Sequence, residues 1–139
     1  AYLWEDDADK NDDYYQCVDS FIQYVRYHFA EDVDIASLAA KYGFTPNYFR
    51  SVFKKITGIT PFEYLQRFRL SRAQELLQEH RFSVQQVAFL VGFNDPFYFS
   101  KAFKKRTGAT PKKYAKNPKI DGGGGEISAG KPNDTKGEN

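Results

Sequence analysis

Phe44 to Tyr64 reads FTPNYFRSVFKKITGITPFEY, and Phe93 to Tyr114 reads FNDPFYFSKAFKKRTGATPKKY. The second stretch is a variant of the first. In both, a glycine (Gly43, Gly92) and a phenylalanine precede a proline-opened segment, which continues through a Lys-Lys pair to T-G-x-T-P and a tyrosine. The offset is 49 residues up to Phe44 and Phe93 and 50 from Pro46 and Pro96 onward, so one residue is inserted near Asn94. Proline is well placed at the first position of a helix, where its missing N–H has no intrahelical acceptor to lose. Thr45 and Asp95 are the residue types that cap such a start, and Gly58 and Gly108 the type that closes the end. The spacing predicts helices at 46–57 and 96–107.

A shorter apolar-periodic segment stands before each of these. Asp34 caps an expected helix at 35–42, with Ile35, Leu38 and Ala39 inward and Gly43 ending it. Ser83 caps its counterpart at 84–91, with Val84, Val87, Ala88 and Leu90 inward and Gly92 ending it. A short helix, a glycine turn and a second helix make a helix-turn-helix. The chain holds two in tandem. Between them, Thr60 to Glu63 (T-P-F-E) reads as a capping box. It opens a helix kept apolar by Phe62, Leu65, Phe68, Leu70, Ala73, Leu76 and Leu77 to about Gln78, roughly 27 Å of rod at 1.5 Å per residue. Upstream, Val18, Phe21, Ile22, Val25 and Phe29 follow the i, i+3, i+4 spacing of an amphipathic helix at about 13–30. Cys17 and His28 lie within it, in plain packing or surface roles. A short helix opens at Thr110-Pro111. The expected organisation is an acidic linker at 1–12, leading from an N-terminal domain that the chain lacks, a helical domain at 13–116, and a disordered Gly-rich tail at 117–139 with nothing to bury.

The 139 residues suffice for one ordinary domain or two very small ones. Aromatic residues reach 17%, so ring packing must supply much of the core. Charge is informative only when divided along the chain. Residues 1–34 carry ten acids against two cations, residues 35–119 sixteen Lys/Arg against four acids, and residues 120–139 four acids against two cations. A basic middle between acidic ends points to a polyanion as partner. One cysteine allows neither an internal disulfide nor a cysteine-based zinc cluster. No apolar run is long enough to span a membrane, and the first residues lack the order of a signal peptide. A cytoplasmic location is expected. The two histidines are far apart, and no His/Asp/Ser cluster or phosphate-cradling loop suggests an enzyme, a metal or another cofactor.

Within 46–57, Phe49, Val52, Phe53 and Ile56 form one stripe and Asn47, Arg50, Ser51 and Lys54 another, on roughly opposite faces. Arginine pairs with a guanine edge and asparagine with an adenine edge through two hydrogen bonds each, so the polar stripe has the groups for base readout. Lys54 and Lys55 suit phosphates, which set affinity and register rather than sequence preference. The second copy divides alike, with Phe99, Ala102 and Phe103 inward and Phe97, Ser100, Lys101 and Lys104 outward. Here Phe97 suits a thymine methyl and Lys101 a guanine, while Ser100 is permissive. Tyr98, like Tyr48 in the first copy, and Lys105 are candidates for phosphate contact. A single Lys-Lys pair on a helix is usually only solvated; recurrence at the same place in both copies argues for a shared task.

The stretch LAAKYGFTPNYFRSVFKKITGITPFEYLQRFRLSRAQELL, followed by VAFLVGFNDPFYFSKAFKKRTGATPKKY, resembles the C-terminal DNA-binding domain of AraC/XylS-type bacterial transcription regulators over about residues 15–115. The resemblance implies an all-α fold of about seven helices, two helix-turn-helix subdomains joined by the long helix, with 46–57 and 96–107 as recognition helices. It places base contacts on Asn47, Arg50, Ser51, Phe97, Ser100 and Lys101. Double-stranded DNA is the implied partner. RNA polymerase is a second partner of such regulators, and a protein-interaction module docking on it or on another regulator is the rival reading. The acidic start resembles a linker from an N-terminal sensor or receiver domain. Successive major grooves on one face of B-DNA are about 34 Å apart, a separation that the long connector plus its flanking subdomains fits. An asymmetric site with two half-elements about 10 base pairs apart is therefore expected.

Overall fold

The computed structural model describes residues 8–116, which form seven α-helices and, among the described residues, no strand. These are α1 (Ala8–His28), α2 (Ile35–Lys41), α3 (Pro46–Thr57), α4 (Pro61–Glu79), α5 (Val84–Leu90), α6 (Pro96–Thr107) and α7 (Pro111–Lys116). The chain divides into two compact units, 1–68 and 69–139, with α4 running from the first into the second. The all-α architecture with two helix-turn-helix units agrees with the sequence reading.

The first unit is built on α1. Tyr14, Cys17, Val18, Phe21 and Val25 bury one face of that helix against Ala39 of α2, Phe49, Val52 and Phe53 of α3, and Leu65 of α4. Rings supply much of the packing, as the composition implied: Phe21 meets Phe53 edge-on at 5.3 Å between centroids and Phe49 at 5.5 Å. In the second unit the buried set is Leu70, Ala73 and Leu77 of α4, Val87, Ala88, Val91, Phe93, Phe99, Phe103, Ala109 and Tyr114. Phe103 and Tyr114 there repeat the edge contact that Phe53 and Tyr64 make in the first unit. The Tyr114 hydroxyl is held by Gln78 at 2.8 Å and Gln74 at 3.3 Å, both on α4.

Local chemistry explains why the helices stop and start where they do. After α2, Gly43 at φ 76° donates its N–H to Ala40 O and Phe44 donates to Ala39 O. After α5, Gly92 at φ 103° donates to Phe89 O and Phe93 to Ala88 O. This is the same Schellman closure twice, and its left-handed residue is one that a side chain would strain. Thr45 Oγ1 then accepts from Tyr48 N, whereas Asp95 Oδ1 accepts from Phe97 N, one position nearer the cap. Asn94 is the extra residue in the second turn, and it leaves both helix ends intact. The T-G-x-T-P segments are also structural. Thr57 Oγ1 lies 2.9 Å from both Phe53 O and Ile59 O, and Thr107 Oγ1 lies 2.9 and 3.0 Å from Phe103 O and Ala109 O. Thr60 and Thr110 cap the helices that follow through Glu63 N and Lys113 N.

Three expectations need correction. The first helix begins at Ala8 rather than 13, so residues 8–12 of the expected linker belong to α1. Residues 8–12 carry no apolar period that a sequence pattern would reveal. Leu90, expected inward, is 45% exposed, while Val87, Ala88 and Val91 around it are fully buried. Phe62, counted in the apolar stripe of α4, is 54% exposed at the second position of that helix. Residues 1–7 of the expected linker and 117–139 of the expected tail lie outside the described residues. Among the described residues, no helix is long and apolar enough to cross a membrane.

Candidate nucleic-acid interface

Each unit presents one helix with a buried face and an outward face. On α3, Phe49, Val52 and Phe53 are buried, Ile56 is half-buried against them, and Asn47, Arg50, Ser51, Lys54 and Lys55 are exposed. At about 100° per residue the exposed and buried sets fall on opposite sides. The helix cannot roll without burying charge, since its aromatic face is locked into the core. On α6 the division recurs: Phe99 and Phe103 are fully buried and Ala102 half-buried, while Phe97, Tyr98, Lys101, Lys104 and Lys105 are exposed and Ser100 is half-buried. Of the residues expected to read bases, Asn47, Arg50 and Ser51 of α3 and Phe97 and Lys101 of α6 are thus exposed, and Ser100 alone among them is half-buried.

The two faces differ in chemistry. Arg50 donates through Nη2 to Asn47 Oδ1 at 3.3 Å, so the two polar readers of α3 touch each other. Their i, i+3 spacing was the available signal for this bond. The frame equivalent of Asn47 is Phe97, whose ring is 84% exposed. Lys54 and Lys55 lie in the last turn of α3, and Lys104, Lys105 and Arg106 in the last turn of α6. There they face the negative end of the helix dipole as well as solvent. Arg106 extends this cation run and was missed because its counterpart, Ile56, points inward. Tyr48 is half-buried: its hydroxyl is 2.8 Å from that of Tyr14, and its ring packs on Phe44 and Tyr14. The contact with α1 is 34 residues away in sequence and left no local sign. Tyr98, by contrast, is exposed, with its ring 6.0 Å from that of Phe93.

Other chemistry is sparse. Among the described residues, no group of three or more His, Cys, Asp or Glu is placed to hold a metal ion. Cys17 is buried in α1, and burial pushes its thiol up to about 11. Asp34, the cap of α2, has its carboxyl held below the usual range by hydrogen bonds from the Ser37 side chain and backbone. His28 stacks on Tyr24 and pairs with Glu31 at 2.9 Å. These are packing and surface roles.

Comparison with known proteins points the same way as this geometry. A family model described as a helix-turn-helix domain matches residues 38–117, spanning both units. The C-terminal domain of AraT, a response regulator from Geobacillus stearothermophilus, is 32% identical and superposes with a TM-score of 0.67, over 72% of this chain and 84% of that one. The DNA-binding domain of AdpA, described as a global transcriptional factor and solved in complex with a target DNA, is 28% identical with a TM-score of 0.67, over 71% of this chain and 89% of that one. Among curated relatives, the HTH-type transcriptional activator RhaS of Citrobacter koseri is 40% identical over 68 residues, which is 49% of this chain. The chain spans about a quarter, 24%, of the length of that relative.

Proposed function

The chain belongs to the helix-turn-helix family, as a DNA-binding domain of AraC/XylS type, and from that premise we propose that it binds double-stranded DNA sequence-specifically and regulates bacterial transcription. The observation that carries this reading is the repeated division of α3 and α6 into a face locked in the core and a face of exposed readers and cations. In the proposed complex each helix enters a major groove. Arg50 reads a guanine and Asn47 an adenine, with Ser51 beside them; Lys101 reads a guanine, Phe97 a thymine methyl, and Ser100 accepts either partner. Lys54, Lys55, Lys104, Lys105 and Tyr98 contact phosphates, and Arg106 joins them. Tyr48 supports the helix from the core side. The tandem arrangement and the unlike chemistry of the two faces support an asymmetric operator of two half-elements about 10 base pairs apart.

The AdpA–DNA complex and the activator description of RhaS support DNA binding and activation as the direction of control. Contact with RNA polymerase, coupling to an N-terminal sensor or receiver domain, and work in the cytoplasm beside the chromosome are part of the same proposal. They are what the resemblance to AraC/XylS-type regulators implies.

Gel-shift titrations on a selected duplex and a scrambled one, each at two salt concentrations, test the assignments. Arg50→Ala removes a bidentate contact worth about 1–3 kcal/mol of discrimination, so the selected duplex loses its advantage while the scrambled duplex is little affected. Lys54→Ala weakens binding to both duplexes alike and lowers the salt slope by about 1. Equal losses on both duplexes for Arg50→Ala sink the base-reading role.

A further inference from the structure

We infer that Phe97 makes the second unit a reader of the C5-methyl group of a pyrimidine, so that its ligand class is a 5-methylpyrimidine, thymine or 5-methylcytosine. This rests on the DNA reading proposed above. The Phe97 ring is 84% exposed, more than any other large apolar side chain among the described residues that expose one. It is not needed for packing, since Phe99 and Phe103 fill the core from the opposite side of α6. Its backbone is held in place: Phe97 is the second residue of α6, and its N–H donates to Asp95 Oδ1 at 2.9 Å. The same frame position in the first unit is Asn47, a side chain with a donor and an acceptor. A phenyl ring has neither and is blind to the hydrogen-bond code of the major groove. The apolar feature that a base pair offers there is the C5-methyl group, present on thymine and on methylated cytosine. Single exposed apolar residues are ordinary on protein surfaces. What sets this one apart is its place at a reader position on a helix end clamped by its own cap.

The test uses the duplex selected from a random pool. Each thymine is replaced in turn by deoxyuridine, which removes only the methyl group, and affinity is measured for the wild-type chain and Phe97→Ala. One position is expected to cost the wild type about fourfold, the worth of one buried methyl, and to cost Phe97→Ala nothing. At that position a C·G pair is expected to bind about fourfold more tightly when its cytosine is 5-methylated, again in the wild type alone. Matching thermal melts of the two proteins show that the variant folds. Equal losses in both proteins at every thymine overturn the inference while leaving DNA reading intact. A deoxyuridine loss without a 5-methylcytosine gain keeps thymine and removes 5-methylcytosine from the class. A pool that enriches no sequence overturns the DNA reading itself, and the inference with it.

Discussion

Replacing Thr107 by valine, and separately Thr57 by valine, isolates what the shared T-G-x-T-P segment contributes to stability. Valine keeps the branched shape and removes the hydroxyl. In both segments that oxygen lies between two carbonyls, to which it donates its single proton, and it also accepts from a backbone N–H at 3.3 Å: Ile59 N in the first unit, Ala109 N in the second. The bonds match to within 0.1 Å, but the surroundings differ. Thr107 is 1% exposed and Ala109 is buried, whereas Thr57 and Ile59 are half-buried. Leaving a buried donor or acceptor unmade costs about 1–3 kcal/mol, while a bond that water can replace is worth about 0.5–1.5 kcal/mol. Thr107→Val should therefore cost about 2–3 kcal/mol and Thr57→Val about 1 kcal/mol. Native-state amide exchange is the suitable assay, because protection of α6 and α7 and of α2 and α3 reports each unit separately even where the two do not unfold together. A Thr57→Val cost equal to or above that of Thr107→Val refutes the argument from burial.

Gly43→Ala meets no atom within 4 Å of the added methyl, so its cost is conformational, about 1–2 kcal/mol for a left-handed residue at φ 76°. A thermal melt measures it, and a loss above about 4 kcal/mol would show a clash that the geometry does not contain. The Cys17 thiol, ordinarily at 9.0, stays protonated in the fold to about 11, so the unfolded chain loses this proton first. Its contribution to stability is complete below pH 9 and declines from there to about 11. Urea midpoints at pH 8 and pH 10 should accordingly fall further in the wild type than in Cys17→Ala, and equal falls refute the assignment.

Much of the fold was legible because helix ends are local chemistry. Pro46, Pro96, Thr45, Asp95, Ser83 and Asp34 act within three residues of themselves, and the duplicated glycines mark the same closure twice. The division of α3 and α6 was legible too, since a 3.6-residue period separates core from surface without knowledge of neighbours. What escaped depends on partners distant in sequence or on where packing ends. The Tyr48 hydroxyl meets that of Tyr14 on α1, so a side chain expected at phosphate also has a partner within the first unit. Leu90 and Phe62 fit the apolar period but are exposed, although Val91 and Pro61 beside them are fully buried, so periodicity alone did not separate them. The first turns of α1 are polar and follow no period, so they read as linker. The Asn47–Arg50 bond lay within reach of a spacing argument, whereas the Tyr114 bonds to Gln74 and Gln78 did not.

The central claim is that two unlike reading faces on one chain recognise DNA bases. It is tested most directly by selecting bound duplexes from a random pool with the wild type, with Arg50→Ala and with Lys101→Ala. The expected result is two separate blocks of enriched sequence in the wild type, the first lost with Arg50→Ala and the second weakened with Lys101→Ala. A single enriched block that responds to neither substitution, or no enrichment at all, would contradict it.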